Sequence, residues 1–86
     1  MKIIFRKKFI KNYTKLPLSD RKNIDATINL FELNPHDKKL RNHSLSGEMH
    51  GLRSISAGFD LRIIFQEFKD YTVVVMIRLG SHNQVY

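Results

Sequence analysis

The stretch from Phe59 to Tyr86, FDLRIIFQEFKDYTVVVMIRLGSHNQVY, constrains the fold of this chain more than any other. Leu61, Ile63 and Phe65 alternate with Asp60, Arg62, Ile64 and Gln66, and Val73, Val75, Ile77 and Leu79 alternate with Thr72, Val74, Met76 and Arg78. A period of two in β-branched and aromatic residues predicts two strands joined by a short turn. Because a one-residue slip moves every side chain to the other face, the apolar pattern selects the register. A loop of Phe68, Lys69 and Asp70 pairs Phe65 with Val73, Ile63 with Val75 and Leu61 with Ile77 on one apolar face. It leaves Ile64/Val74, Arg62/Met76 and Asp60/Arg78 on the other. A shorter loop of Lys69 and Asp70 sets Arg62 against Ile77 and Leu61 against Arg78, mixing charge into the core, so the first register is expected. It gathers Asp60, Arg62 and Arg78 at the end of the hairpin away from its loop. His82 has the parity to join them, as has Tyr86 if the chain stays extended past Gly80. A carboxylate, two guanidiniums, an imidazole and a phenol are the parts needed to bind and transform a phosphodiester.

Upstream, Lys2 to Phe5 predict a first strand, and Phe9, Tyr13 and Leu16, with Ile10 beside them, fall at helical spacing until Pro17 ends or interrupts the run. Lys7, Lys8, Lys11 and Lys15 occupy the other side of that helix. Ser19 reads as the N-cap of a second helix, with Asp20 in its first turn, a stripe of Ile24, Ile28 and Phe31, and Asn34-Pro35 as its stop. Two such helices in succession predict a helical hairpin whose apolar stripes need a common surface, which the sheet supplies. The segment Pro35 to Leu45 is polar and basic without sustained period, which predicts a loop carrying Lys38, Lys39, Arg41 and His43. His50 to Ala57 is expected to be a strand with Ile55 and Ala57 inward and Ser54 and Ser56 outward, and Gly58 turns it into the Phe59 strand. The order β-α-α-β-β-β predicts one α+β domain over residues 1–86, a helical hairpin packed on a small, mostly antiparallel twisted sheet.

A chain of 86 residues buries only about 60–65% of its unfolded surface, so its stability alone is modest and a partner adds to it. Its 15 Lys and Arg against 8 acidic residues give a net charge of +7, which predicts attraction to a polyanion, nucleic acid first and an acidic protein second. No cysteine is present, which excludes disulfides and thiolate metal sites and fits a reducing cytosol. MKIIFRKKFIKNY has only a short apolar run between charges, so neither a signal peptide nor a membrane span is expected, and the protein should be soluble and cytoplasmic. His36, His43, His50 and His82 match neither HExxH nor a zinc-finger spacing, so no metal and no cofactor is expected. No nucleophile elbow, Walker loop or dinucleotide fingerprint occurs.

RNA cleavage needs no metal when the ribose 2′-hydroxyl attacks its own 3′-phosphate. A base takes the hydroxyl proton, cations stabilise the equatorial oxygens, and an acid protonates the leaving 5′-oxygen. Histidine suits acid or base work near neutral pH, and arginine's planar fork suits the charge stabilisation. On spacing alone the blander reading comes first: Asp60/Arg78 as a surface cross-strand ion pair, Arg62 as an edge residue and His82 as a solvated tail residue. The blocks NYTKLP, LFELNP, KLRNHSLSGEMHGLRSISAGFDLRIIF and IRLGSHNQVY, in that order, resemble the RelE superfamily of bacterial toxins, especially its YafQ-like branch, over nearly the whole chain.

The resemblance implies a β-α-α-β-β-β fold, a ribosome-dependent mRNA endonuclease activity that inhibits translation, and neutralisation by a cognate antitoxin protein. It implies ribosome and mRNA as further partners and no membrane. His43, Asp60 and His82 stand at the branch's own histidine, aspartate and near-terminal histidine, and Arg62 at an arginine common in RelE-like toxins. Tyr86 takes the terminal aromatic position, where the branch often carries phenylalanine. One position departs: the branch's further histidine is Ser56 here. The expected roles are His82 as general acid and Asp60, helped by His43, as general base, with these labels exchangeable. Arg62 and Arg78 are expected to stabilise the phosphorane and Tyr86 to stack on or orient a base. Lys38, Lys39, Arg41, Arg53 and Arg78 are the expected RNA contacts. The alternatives are a ParE-like toxin that shares the fold and inhibits DNA gyrase without a nuclease site, and a decayed toxin that only binds its antitoxin.

Overall fold

In the computed structural model, which describes residues 1–86, strand β1 (Lys2–Phe5) leads through Arg6 into helix α1 (Lys7–Thr14), and helix α2 (Leu18–Leu33) follows after a short link. Strands β2 (His43–Ser44), β3 (Arg53–Ser56), β4 (Leu61–Phe68) and β5 (Val73–Ser81) come next, and β5 continues into a single terminal helical turn, α3 (His82–Val85). The strands form one sheet in the order β1-β5-β4-β3-β2, with β1 parallel to β5 and every other pair antiparallel. This is the expected α+β arrangement with two additions, β2 and α3. Neither is long enough for a hydrophobic period to repeat. The segment read as a loop from Pro35 to Leu45 therefore contains β2 and a 3-10 turn at Lys38–Leu40, and the strand expected from His50 is confined to Arg53–Ser56. No helix is long and apolar enough to cross a membrane.

The helix stripes land where their spacing places them. Phe9 of α1, Ile24 and Phe31 of α2, and Leu40 pack on Ile55, Ala57, Ile63, Phe65, Val74, Met76 and Leu79 of the sheet. The Phe31 and Phe65 rings meet edge to face with centroids 5.0 Å apart. Helix α2 begins two residues earlier than Ser19 would set it, with Pro17 as the N-cap residue in extended backbone at φ −57°, ψ 156°, a φ its ring imposes. Tyr13 donates its hydroxyl to Asp25 Oδ1 at 2.7 Å, tying the helices together. That hydrogen bond first, then burial and the carboxylate's charge, hold the Tyr13 phenol above its ordinary range, while Arg21 pulls the other way.

The β4–β5 register differs from the expected one. Phe68 faces Val73, Glu67 faces Val74 and Phe65 faces Met76, and the loop is Lys69 to Thr72. Lys69, Asp70 and Tyr71 all adopt left-handed φ, at 52°, 53° and 66°. Tyr71 fixes this loop: its N–H donates to Glu67 Oε1 at 3.0 Å, and its ring meets Phe31 with centroids 5.9 Å apart. The longer loop puts that aromatic ring into the core, which offsets the strain of three non-glycine residues in the left-handed region.

Between Phe65/Met76 and Ile64/Arg78, Ile77 is an extra residue, a β-bulge. In an unbroken strand Arg78 would follow Val74 and Met76 onto the core face. The bulge turns Leu79 inward instead and sends Arg78 and Gly80 to the opposite face, beside Ile64 and Arg62. That face is also covered, because α3 folds back over it and Val85 is buried there with Ile64 and Ser54. Gly80 permits this return: a Cβ there would stand 2.8 Å from Gln84 Oε1 and 3.1 Å from Gln84 Cβ.

Candidate active site

The second sheet face carries a cleft of about 430 Å³ lined by Arg41, His43, Ser56, Arg62, His82 and Tyr86. Four elements meet to build it. β2 sets His43 beside Ser54 of β3, β3 sets Ser56 beside Arg62 of β4, and α3 brings His82 and Tyr86 back over them. Arg41 precedes β2 in the left-handed region, at φ 51°, as the C-cap of the 3-10 turn.

Asn42 anchors that approach. Its Nδ2 donates to the Pro35 carbonyl at 3.0 Å and to the Tyr71 hydroxyl at 2.9 Å, and its Oδ1 accepts from Arg53 Nε at 2.8 Å. The backbone turn at Arg41 brings its carbonyl oxygen to 2.8 Å from His43 Nδ1. A carbonyl only accepts, so Nδ1 carries the proton and, in the neutral ring, Nε2 is left as an acceptor.

On the opposite wall, α3 is held by a reciprocal capping box in which the Ser81 N–H donates to Gln84 Oε1 at 2.8 Å. The Tyr86 hydroxyl donates to Ser54 Oγ, a fully buried hydroxyl. The His82 and Tyr86 rings stack edge to face with centroids 4.6 Å apart. Tyr86 is thus pinned to the sheet at one end and supports the imidazole of His82 at the other.

Of the residues expected to share a site, His43, Arg62, His82 and Tyr86 converge, and Arg41, expected as an RNA contact, joins them. Asp60 does not. It sits in the bend before β4, in a recess with Leu16, Asp20, Asn23 and Phe59. The expected Asp60/Arg78 cross-strand pair is absent, since Arg78 faces Ile64 and Arg62 faces Gly80. Tyr86 arrives through a helical turn rather than an extended tail, and Ser54, expected to face solvent, is buried beneath it. Arg53 lies outside the cleft, bound to Asn42, and Lys38 and Lys39 are exposed on the 3-10 turn. No group of three or more His, Asp or Glu side chains comes together in a way that could hold a metal ion. Ser54 and the capping box carry the site but were not drawn from the sequence; the spacing Ser81-x-x-Gln84 is the signal that marks the latter.

A sequence profile described as bacterial toxin of type II toxin-antitoxin system, YafQ, matches residues 1–86. A solved structure of a copper-bound mutant toxin from Helicobacter pylori is 25% identical, with a TM-score of 0.77 over 100% of this chain and 99% of that one. YafQ from E. coli gives a TM-score of 0.81 at 19% identity, covering 99% of this chain and 97% of that one. A chain of the archaeal RelE-RelB complex from Pyrococcus horikoshii gives 0.76 at 19% identity, covering 98% and 97%. No curated protein sequence matches significantly.

Proposed function

Since this chain belongs to the YafQ family of bacterial toxins of type II toxin-antitoxin systems, we propose that it is an endoribonuclease that cleaves mRNA on the ribosome without a metal. The ribose 2′-hydroxyl attacks the adjoining phosphorus, the 5′-oxygen leaves, and a 2′,3′-cyclic phosphate or its 3′-phosphate hydrolysis product remains. The single observation that carries this reading is the convergence of two imidazoles and two guanidiniums on one cleft with no carboxylate in it.

His43 is the general base, because its Nδ1–H is committed to the Arg41 carbonyl and the ring's remaining nitrogen is free to take the 2′-hydroxyl proton. His82, on the α3 wall, protonates the leaving 5′-oxygen. Arg41 and Arg62 stabilise the extra negative charge of the phosphorane. Tyr86 presents half of its ring to solvent for stacking on a base while its hydroxyl stays on Ser54. Asp60, outside the cleft, has no step in this scheme.

The partner that such a system implies is an antitoxin. An apolar groove of about 200 Å³ at Phe5, Phe9, Ile10, Tyr13, Asp25 and Ile28 suits an amphipathic, net acidic segment that folds on binding to this +7 chain.

The test is His82→Ala in a translating extract, with mRNA 5′ ends mapped. Loss of a positioned acid slows cleavage by about 10²–10⁴-fold, while circular dichroism and antitoxin binding stay unchanged. A parallel mRNA with a 2′-deoxy nucleotide at the mapped site should resist cleavage altogether, and its cleavage at the normal rate would eliminate the 2′-hydroxyl mechanism.

A further inference from the structure

Beside the catalytic cleft, a second basic feature runs along the edge of β5. Where β1 ends at Phe5, α1 takes over that edge, and Asn12 Oδ1 accepts from the Leu79 N–H at 3.2 Å. Two recesses open along this seam. One, of about 510 Å³, is lined by Arg6, Lys7, Lys8, Ile77 and Arg78. The other, of about 250 Å³, shares Lys8 and Arg78 and continues past Lys15 and Gly80 to Gln84 of α3. They form one trough with five cations and no acidic residue along it.

We propose that this trough is an RNA-backbone subsite, separate from the catalytic cleft, that holds phosphodiester groups of an RNA segment lying alongside the scissile strand. The inference rests on the ribonuclease reading. Three observations support it. Lys7 and Lys8 occupy the first turn of α1, where no acidic residue offsets them and the helix dipole disfavours cations unless an anion is present. Arg78, placed on this face by the bulge at Ile77, has a buried Nε without a partner, and its Nη2 reaches only the weak acceptor Met49 Sδ, at 3.8 Å. The far end of the trough is lined by Gln84 of α3, the turn whose first residue is His82.

The lining favours RNA over an acidic protein. Ile77 is the single apolar residue of the larger recess, in contrast to the aromatic groove at Phe5 and Phe9. A ligand held there is bound by charge and not by side-chain burial, as a phosphate backbone is while its bases remain outside.

The test compares the full-length protein with Lys7→Gln/Lys8→Gln and with a control pair of equal charge loss, Lys22→Gln/Lys69→Gln, in α2 and the β4–β5 loop. The probe is a fluorescent 2′-O-methyl RNA oligonucleotide, which lacks the nucleophile and stays intact, titrated at several salt concentrations. Loss of two phosphate contacts on a single strand should reduce the log–log salt slope by about 1.4, whereas the control pair leaves it near the wild-type value. Equal slopes for wild type and the Lys7/Lys8 variant overturn the subsite, as does an equal reduction in the control, which would mark a general charge effect. Retained RNA binding with loss of the co-expressed antitoxin would identify the trough as a protein-docking surface and also overturn it. Failure of the wild type to bind this RNA or to cleave mRNA would sink the ribonuclease reading itself, whereas wild-type cleavage with unaltered slopes removes the trough alone.

Discussion

The Tyr86–Ser54 hydrogen bond makes a prediction whose order is more telling than its size. Ser54 is 0% exposed and Tyr86 44% exposed, so the two hydroxyls respond differently to losing one another. Tyr86→Phe strands the Ser54 hydroxyl beneath a ring, and an unsatisfied buried hydroxyl costs about 1–3 kcal/mol. Ser54→Ala frees the Tyr86 hydroxyl to turn to water, which costs about 0.5–1.5 kcal/mol, the net worth of an ordinary hydrogen bond. In the double variant neither hydroxyl is left to strand, so it should be no worse than Ser54→Ala and more stable than Tyr86→Phe alone. For a domain of this size about 1 kcal/mol moves Tm by roughly 4–8 °C, so thermal unfolding followed by circular dichroism resolves the ranking. The coupling should reach about 1 kcal/mol, within the range for residues in contact. Additive losses, or a Tyr86→Phe protein as stable as wild type, would refute the idea that this bond fixes α3 to the sheet. Because His82 stacks on Tyr86 at 4.6 Å, cleavage by Tyr86→Phe should fall by roughly 5–30-fold if about 1–2 kcal/mol of positioning is lost.

Gly80→Ala places a methyl 2.8 Å from the Gln84 oxygen that caps Ser81, so α3 should loosen, with a loss of about 0.5–2 kcal/mol from the broken cap and slower cleavage; wild-type stability and rate would show that the turn can shift freely. Arg41→Gly relieves a left-handed residue while removing a guanidinium from the cleft, so stability should hold or rise by up to about 1 kcal/mol in urea unfolding as cleavage drops. Asp60→Asn should leave cleavage within about tenfold of wild type, short of the 10²–10⁴-fold loss of a true acid or base, when assayed beside His82→Ala. The fold holds the Tyr13 proton more tightly than the unfolded chain does, so the stability this contributes is complete below about pH 10 and disappears as pH rises through the raised folded value. Asp25→Asn should accordingly bring tyrosinate absorbance on at lower pH than in the wild type.

The parts of this fold legible in the sequence are those where one parity is apolar and the other is not. Ile63 and Phe65 alternate with Arg62 and Gln66, and they point into the core as expected; so do Phe9, Ile24 and Phe31 at helical spacing. The run from Val73 to Ile77 is apolar at every position, because β5 lies inside the sheet with Val74 and Met76 buried on one face and Val73, Val75 and Ile77 half-buried on the other, and such a run carries no parity in its sequence. The register expected from alternation fails there for that reason. Nothing in Lys69-Asp70-Tyr71 announces three left-handed residues either, since the turn is imposed by where the Tyr71 ring must pack. The convergence of His43, Arg62, His82 and Tyr86 was readable from parity together with family resemblance. The exclusion of Asp60 was not, because it depends on β4 beginning at Leu61.

The register and the bulge together decide the electrostatic character of the working face. With the register expected from the alternation, Arg78 would face Asp60 as an ordinary cross-strand ion pair, and only Arg62 would be left without a counter-charge at that end of the hairpin. The observed pairing sets Arg78 against the buried side chain of Ile64 and Arg62 against Gly80, so neither arginine is matched to a carboxylate across the ladder. All eight acidic residues of the chain lie outside the lining of both the cleft and the trough. Cations brought together without counter-charges repel one another, and a fold of only 86 residues has little stability to set against that repulsion. A phosphodiester backbone supplies the missing charges at regular spacing and releases its own counterions as it does so. The same absence of carboxylates that makes this face costly in the free protein is what makes it complementary to RNA.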